Sequence, residues 1–181
     1  LNRLTSNRLN IVGCRFDGRP DEDTRTVVGP LARFLPVAAT FDNDQTATER
    51  VQENITFAEA AEGYQECFLW PNDTHSRVNA LPYLFEFDQV VCGWKSTNAD
   101  IQLKSFAVHS EIFNLKLSCQ RDLEQNTLKL VLHINARAFN VGVAELLMQQ
   151  FLSLLQDMVE HPDKTIANLD VVNAEQQTRI L

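Results

Sequence analysis

The chain has 181 residues, of which 44 % are hydrophobic and 22 % charged, and its formal net charge is −8 at pH 7. This size and composition are typical of one globular domain with a sizeable core. The negative charge, without any run of Lys or Arg, argues against nucleic-acid binding. No apolar run approaches the ~18 residues that a membrane span requires.

The four cysteines, Cys14, Cys67, Cys92 and Cys119, are widely spaced and include no C-x-x-C pair. Metal and redox sites usually need closer spacing, so we expect reduced, mostly buried thiols in a cytoplasmic protein. No secretory signal is visible. Because the sequence opens at Leu1 directly before a strand, we expect an excised fragment of a longer protein.

The first predicted elements are two strands joined by a polar connection. The apolar run Leu9–Phe16 predicts a strand, and it ends at a turn of sequence Asp-Gly-Arg-Pro over residues 17–20. An acidic loop follows at residues 21–23. A second strand is predicted from Phe34 to Phe41, and Pro36 inside it indicates an edge strand because proline cannot donate to a ladder.

The middle of the chain predicts a helix and an aromatic strand. Thr46 and Glu49 have the spacing of a capping box, which begins a helix that we expect to end at about Phe68. Its apolar face is formed by Ala47, Val51, Ile55, Ala58 and Ala61. Residues 71–80 are polar and predict a loop, and the aromatic run from Leu81 to Val91 predicts the next strand.

The last third predicts a hairpin, a helix and a final strand. Alternation over residues 113–119 places Lys116 and Ser118 on the polar side of a half-buried strand. A turn at 122–126 and a second alternating strand over 128–134 complete an antiparallel hairpin. Asn140 begins a helix whose apolar stripe comprises Ala144, Leu147, Phe151, Leu154, Leu155 and Met158. Residues 166–172 predict a last strand, and the polar tail from Ala174 predicts a helical exit.

Three short motifs near the first two strands resemble a known family. They are Gly18-Arg19 at the end of a strand, Val28-Gly29, and Leu35-Pro36-Val37. This order resembles the second lobe of the condensation domains of nonribosomal peptide synthetases. The chain departs from the common pattern at Arg33, which stands where the family usually has Asn, and at Ala38, which replaces Arg.

Later segments continue the resemblance in the same order. Residues 65–68 (Gln-Glu-Cys-Phe) resemble a degenerate form of a family segment. The break at residues 92–98 is either the family's crossover between lobes or an ordinary loop. The final hairpin, helix, strand and tail resemble the end of a condensation domain. The resemblance implies a lobe over residues 1–172 and the start of a linker to the next domain at 173–181.

The implied fold is a two-layer α/β sandwich, half of a chloramphenicol-acetyltransferase-like fold. It would contain a mostly antiparallel mixed sheet with helices on one face. The family's chemistry depends on an H-H-x-x-x-D-G motif in the other lobe, and no adjacent His pair occurs here. We therefore expect no catalytic residue and no metal ligand in this chain. Five residues are candidates for lining a substrate tunnel or for structural roles: Arg19, Arg33, Phe34, Trp94 and His133.

The candidates differ in what the sequence suggests for them. We expect Arg19 to make an ion pair or carbonyl contacts near the acids that flank it, while the rival role is to hold a phosphopantetheine phosphate. His133 stands on the polar side of its strand, which favours solvent exposure over a cleft. The segment around Val90 to Trp94 is expected to be an exposed apolar patch where the other lobe packs.

The resemblance implies that the complete domain joins a donor acyl thioester to an acceptor amine. Both would be carried on the phosphopantetheine arms of carrier domains, with no cofactor bound directly. The implied partners are the N-terminal lobe, peptidyl carrier domains and a following adenylation domain. Two alternatives stay open: a non-catalytic docking module, and an acyltransferase lobe that acts on acyl-CoA.

Overall fold

The structure is a computed structural model that describes residues 9–19, 21–40, 42–68, 81–90, 93–102 and 112–171, without the side chains of Ala39, Trp94 and Lys95. The strands are β1 Leu9–Phe16, β2 Arg33–Thr40, β3 Tyr83–Val90, β4 Gly93–Ser96, β5 Ala99–Gln102, β6 Leu115–Asp122 and β7 Thr127–Ile134. The α-helices are α1 Glu22–Arg25, α2 Ala47–Gly63 and α3 Val141–Glu160. A 3₁₀ helix follows at Ile166–Asn168.

Five strands form one sheet in the order β2-β1-β3-β6-β7. The outer pairs, β1–β2 and β6–β7, are antiparallel, whereas β1–β3 and β3–β6 are parallel. The expected mixed sheet is therefore confirmed, but its pairings are evenly divided where we had expected mainly antiparallel ones. The parallel pairs arise because long connections separate β1, β3 and β6 in the sequence. Helix α2 packs against β2, and α3 packs against β7.

The first two strands lie as the sequence predicts. Pro36 is on β2, an edge strand, so its missing N–H interrupts no ladder on the outer side. Gly18 closes the turn with a φ of +74°, and a Cβ there would lie 2.0 Å from the Leu31 carbonyl oxygen. The expected acidic loop is instead partly the short helix α1, because the Asp21 carbonyl accepts from the Arg25 N–H at 3.2 Å.

Helix α2 begins at the predicted capping box and ends earlier than predicted. The Thr46 hydroxyl accepts from the Glu49 N–H, and the Glu49 carboxylate accepts from the Thr46 N–H. The helix ends at Gly63, not near Phe68. Past that point the side chain of Gln65 turns inward and accepts from the Gly18 N–H at 3.0 Å. This bond joins the end of α2 to the turn after β1.

The apolar face predicted for α2 is only partly buried. Ala47 is buried, whereas Val51 and Ile55 are 45 % and 44 % exposed. Arg50 is buried beside them and pairs with Glu53 at 2.7 Å. The spacing of apolar residues therefore predicted the helix correctly but not which of its side chains would be covered.

The best-packed apolar cluster lies at one end of the central strands. It consists of Phe34, Leu81 and Leu84, with Phe113 packed against it. Gly13 on β1 permits this packing, because a Cβ there would lie 2.5 Å from Leu84 Cδ2 and 2.6 Å from Leu81 Cδ1. A larger residue at this position would push the cluster away from the sheet.

The segment after α3 is not the predicted strand. Residues 166–168 form a 3₁₀ helix. The only strand-like pairing of the described part of this segment is an isolated bridge between Thr165 and Thr46. The segment instead docks on the start of α2, where the Lys164 carbonyl accepts from the Ala47 N–H at 3.1 Å. Ile166 and Leu169 are buried by this docking. We call residues 161–170 the exit strap.

An ion cluster around Asp157 holds the exit strap. The Asp157 carboxylate accepts from Lys164 Nζ at 2.8 Å and from the Asp170 N–H at 2.7 Å, and it contacts His161 Nδ1 at 2.9 Å. Lys164 also binds the Asp170 carboxylate at 2.9 Å. The hydrogen bond from Lys164 is the main reason that the pKa of Asp157 is lowered to about 2, and the same bond raises the pKa of Lys164.

The β6 strand departs from prediction in which side it buries. Lys116 and Ser118, expected on the polar side, are 2 % and 1 % exposed. The reason is Glu86 on β3, whose carboxylate lies 3.2 Å from Lys116 Nζ and accepts from the Ser118 hydroxyl. Alternation assigns polar residues to solvent because it cannot detect a partner on another strand.

We expect Asp157→Asn to lower the melting temperature near pH 6 because it removes the charged acceptor of the exit strap. A lowered carboxyl pKa stabilises the fold fully above the unfolded pKa, near 4, and this contribution is lost as the pH falls toward 2. The deficit of the variant should therefore shrink between pH 6 and pH 3. Asp163→Asn, at an exposed acid of the same strap, is the matched control. A deficit independent of pH would contradict this assignment.

We expect Lys116→Met to lower the free energy of unfolding by about 3–5 kcal/mol because it leaves the Glu86 carboxylate buried without its cation. The double variant with Glu86→Gln should recover much of this loss, which denaturant titration of all three variants would measure. Lys129→Met, at an exposed lysine on β7, should change stability by less than about 0.5 kcal/mol. Equal effects of the two lysine substitutions would refute the buried pair.

Candidate functional site

One side of the central sheet carries a cluster of charged and polar side chains. Register places Glu86 of β3 beside Ser118 of β6, with Lys116 one pair further along the same side. Arg15 of β1 forms an ion pair with Asp88 two residues beyond Glu86. We call Arg15, Glu86, Asp88, Lys116 and Ser118 the polar face cluster.

The polar face cluster is electrically balanced and largely closed to solvent. Its two cations, Arg15 and Lys116, each contact a carboxylate of β3. Lys116 Nζ also lies 5.7 Å from the ring centroid of Phe113, which covers part of its charge. Because Ser118 is only 1 % exposed, its hydroxyl cannot contact a substrate in this conformation. The cluster is built to hold β1, β3 and β6 together.

The cysteine thiols beside this cluster are not poised as nucleophiles. Burial raises the pKa of Cys14 to about 11. Burial, with a smaller contribution from the charge of Glu86, raises the pKa of Cys119 to about 11 as well. Both thiols are therefore protonated at neutral pH, whereas nucleophilic attack requires the thiolate. Of the described cysteines, all free thiols, Cys119 is buried and Cys14 half-buried, as expected, whereas Cys67 is exposed.

Arg19 ties together the loop that joins β1 to β2. One of its guanidinium nitrogens lies 2.6 Å from the Asp17 carboxylate. The other donates to the Gly29 carbonyl at 2.9 Å and to the Val27 carbonyl at 3.3 Å. The fork thus bridges the turn after β1 and the segment before β2, which is the kind of contact expected for it.

Three of the five candidates from the sequence lie in one region. Arg19 belongs to the loop between β1 and β2, and Arg33 is the exposed first residue of β2. Phe34 follows it and is buried in the apolar cluster with Leu81 and Leu84. These three residues occupy the end of the sheet at which β1 leaves and β2 enters.

The other two candidates lie elsewhere. His133 is on β7 at the far edge of the sheet, paired with Lys116, and it is half-buried where we had expected exposure. Trp94 is on β4, and its side chain is outside the described residues. The segment at 92–98 is not a plain loop in its described part, since β4 and β5 form a separate antiparallel hairpin, and the crossover between lobes stays a prediction. The histidines His75 and His109 and the cysteine Cys92 also fall outside the described residues.

The expected apolar patch around Val90 to Trp94 stays a prediction, because Val91, Cys92 and the side chain of Trp94 are outside the described residues. Val90 is half-buried. Among the described residues, exposed large apolar side chains include Phe87 of β3 and Leu128 of β7, at 47 % and 51 %, and several along helix α3. Alternation on β3 had not indicated which side would be left uncovered.

Sequence reasoning overlooked Glu86, Lys116 and Gln65 as organising residues. Glu86 had one usable signal, since it and Asp88 are acids on the same side of the otherwise aromatic run of β3. Gln65 belongs to the segment 65–68 that resembles the family, but that resemblance did not indicate its bond to Gly18, and Lys116 gave no signal because Glu86 is distant in sequence. Within the described ranges no group of His, Cys, Asp or Glu side chains is arranged to hold a metal ion. No helix in the same ranges is long and apolar enough to span a bilayer.

Solved structures of similar fold were found among nonribosomal peptide synthetases. The first condensation domain of the CDA synthetase matches with a TM-score of 0.71 at 15 % identity, over 96 % of this chain and 40 % of that one. The four-domain nonribosomal peptide synthetase AB3403 matches with a TM-score of 0.76 at 18 % identity, over 97 % of this chain and 15 % of that one.

A third match is the starter condensation domain of rhizomide synthetase RzmA, determined as a mutant in complex with C8-CoA. Its TM-score is 0.76 at 13 % identity, over 95 % of this chain and 41 % of that one. The chain thus spans about two fifths of the length of these solved condensation domains. At these identities the likeness establishes the fold, which is the chloramphenicol-acetyltransferase-like fold of those domains.

A search of curated proteins found no match. The family model described as "Condensation domain" matches residues 1–181, the whole chain. The chain therefore belongs to the condensation domain family.

Proposed function

We propose that this chain is the C-terminal lobe of a nonribosomal peptide synthetase condensation domain, and that it supplies one wall of the substrate tunnel and a carrier-docking surface. The observation that carries the proposal is the family match over the whole chain, combined with coverage of only about two fifths of the solved domains. In the complete domain the acceptor amine attacks the donor thioester carbonyl. The C–S bond then breaks, and the donor thiol is released as the amide forms.

The geometry of the lobe suits a wall better than a catalyst. Its buried charges are already paired with one another, and its described thiols with raised pKa are protonated. An aminolysis site gains rate by holding two tethered reactants together and excluding water, which a single wall cannot do. The lobe thus contributes shape and support, and the reacting histidine comes from the N-terminal lobe.

The exposed surface also supports a partner lobe. Nineteen large apolar residues are exposed among those described, against eight buried apolar ones, so this surface suits contact with more protein. The β4–β5 hairpin is separate from the main sheet, and an isolated two-stranded hairpin is marginally stable in water. We assign this hairpin to the junction with the N-terminal lobe.

The remaining partners follow from the same proposal. The lobe ends just after the exit strap, at about residue 172. Residues 173–181 begin a linker to an adenylation domain. Peptidyl carrier domains present the donor and acceptor on phosphopantetheine arms, and no cofactor binds to the lobe directly. The free thiols of Cys14 and Cys119 suit the reducing cytoplasm.

We expect the isolated chain to form no amide from carrier-bound donor and acceptor, because the His-His motif of the family lies in the other lobe. Adding an N-terminal lobe that carries the motif should restore product, detected by mass spectrometry. Offering the same donor as free acyl-CoA tests the acyltransferase alternative, and carrier binding without product in the reconstituted domain would indicate a docking module. Amide formed by the isolated chain would overturn the proposal.

We expect Arg19→Ala to lower the free energy of unfolding by about 1–2 kcal/mol, because it removes three hydrogen bonds to backbone carbonyls and a partly exposed ion pair. In the intact domain, carrier affinity should stay unchanged, since these contacts are within the lobe. Arg25→Ala, at an exposed arginine of the adjacent α1, is the control. Unchanged stability with weakened carrier binding would instead assign Arg19 to a phosphopantetheine phosphate.

A further inference from the structure

The first turn of helix α2 takes its hydrogen-bond acceptors from the exit strap. The Ala47 N–H donates to the Lys164 carbonyl and the Thr48 N–H donates to the Pro162 carbonyl, each at 3.1 Å. The Thr48 hydroxyl donates to the same Pro162 carbonyl at 3.0 Å. Since the first amides of an α-helix have no acceptor within the helix, these two amides lose their acceptors if the strap departs.

The exit strap in turn donates to the segment that leads into α2. The Ile166 N–H donates to the Gln45 carbonyl at 2.9 Å, and the Ala167 N–H donates to the Asn43 carbonyl at 3.3 Å. Donors therefore lie on both sides of the boundary between the strap and the start of α2. Because each side satisfies backbone groups of the other, we expect the two sides to open together.

The apolar contribution to this docking is small. Ile166 and Leu169 are the buried side chains of the exit strap, and its other side chains are exposed or half-buried. Ordering a segment of the backbone costs conformational entropy at every residue, whereas only buried apolar side chains offset this cost by leaving water. The polar contacts of the strap must therefore supply much of what holds it closed.

Lys164 is the residue of the exit strap that contacts both helices. Its carbonyl accepts from Ala47 of α2, and its Nζ lies 2.8 Å from the carboxylate of Asp157 on α3 and 2.9 Å from that of Asp170. The side chains of Lys164 and Asp170 are 28 % and 67 % exposed, so water and salt reach these contacts. Ion pairs that solvent reaches are weaker than buried ones and are screened by salt.

We propose that the exit strap is a releasable strap: residues 161–170 open as a unit while the sheet stays folded, and their opening undoes the first turn of α2. Lys164 is the residue that holds the strap closed. Local units of this kind open at a lower free energy than the whole domain. The strap thus gives the chain beyond residue 170 control over the start of α2. The inference does not depend on the proposed function, since it rests on contacts within this chain.

Amide hydrogen exchange of the full chain, followed by NMR at low denaturant concentrations, tests the separate opening. The reporters are the four amides that cross the boundary, those of Ala47, Thr48, Ile166 and Ala167. We expect them to share one protection factor, at least about tenfold below that of the inner strands β3 and β6. Reporters that exchange only by global unfolding, with the protection of the inner strands, would overturn the proposal.

Lys164→Met tests which residue holds the strap. It should lower the protection of all four reporters by about tenfold and leave the inner strands unchanged, because it removes charged hydrogen bonds to two carboxylates. Salt at ~1 M should act in the same direction on the unaltered chain and much less on the variant. Lys129→Met, at an exposed lysine of β7, is the matched control and should change none of the reporters. A loss confined to Ile166 and Ala167, or one shared equally by the inner strands, would overturn the proposal.

A crosslink tests the opening in the other direction. Thr46 and Thr165 face each other in the isolated bridge, and the bonds on either side make them a non-hydrogen-bonded pair. Such pairs have Cα atoms roughly 4.5 Å apart, which a disulfide can span. In a Cys67→Ser background, Thr46→Cys with Thr165→Cys should raise the protection of Ala47 and Thr48 by about tenfold or more when oxidised. The reduced form of the same protein controls for the lost Thr46 hydroxyl, and equal protection in both forms would contradict a strap that opens.

Discussion

The pairing of Lys116 with Glu86 across β3 and β6 is the interaction on which the rest of this fold depends. β3 and β6 are inner strands of the sheet, and they pair in parallel. A short hairpin turn cannot join parallel strands, so no turn aligns this pair. A lysine ammonium at 2 % exposure is tolerable only if an anion accompanies it. The pair therefore specifies the register between β3 and β6, since a slip by one residue would move Lys116 to the apolar side and leave Glu86 alone.

A second set of polar contacts, made by the exit strap, holds helices α2 and α3 in place beside this sheet. The exit strap links the end of α3, through Asp157 and Lys164, to the first amides of α2. Helices that pack on opposite edge strands, β2 and β7, are thereby joined at one end without extensive contact between them. At the other end of α2, Gln65 binds the turn after β1. Both ends of α2 are thus held by polar contacts, which suits a helix whose Val51 and Ile55 remain exposed.

Local sequence signals predicted most helices and strands, but they did not predict which distant residues contact one another. Capping residues and alternation predicted α2, α3 and all five strands of the main sheet within a few residues, because those signals act over a single turn or pleat. They failed at Lys116, whose burial depends on an acid thirty residues away, and at Ile166, whose amide bonds to Gln45. For the same reason, the sequence did not show which site candidates would lie together. Arg19 and Phe34 lie at the two ends of the connection between β1 and β2, whereas His133 is on β7, four strands from β2 in the sheet.

Several buried or half-buried charges of this chain are paired with one another, whereas many of its large apolar side chains are exposed. Arg15, Lys116 and Lys164 each contact a carboxylate of the same chain, so none of them remains for a reacting group. Apolar side chains on β3, β7 and α3 remain exposed. Charge pairs are specific in geometry, so they can fix the shape of this chain by themselves. Apolar burial is non-directional, so the exposed apolar surface can be covered later by a partner. In the two-lobe domain that we propose, its part is to present a rigid surface, and the chemistry depends on what the other lobe brings to it.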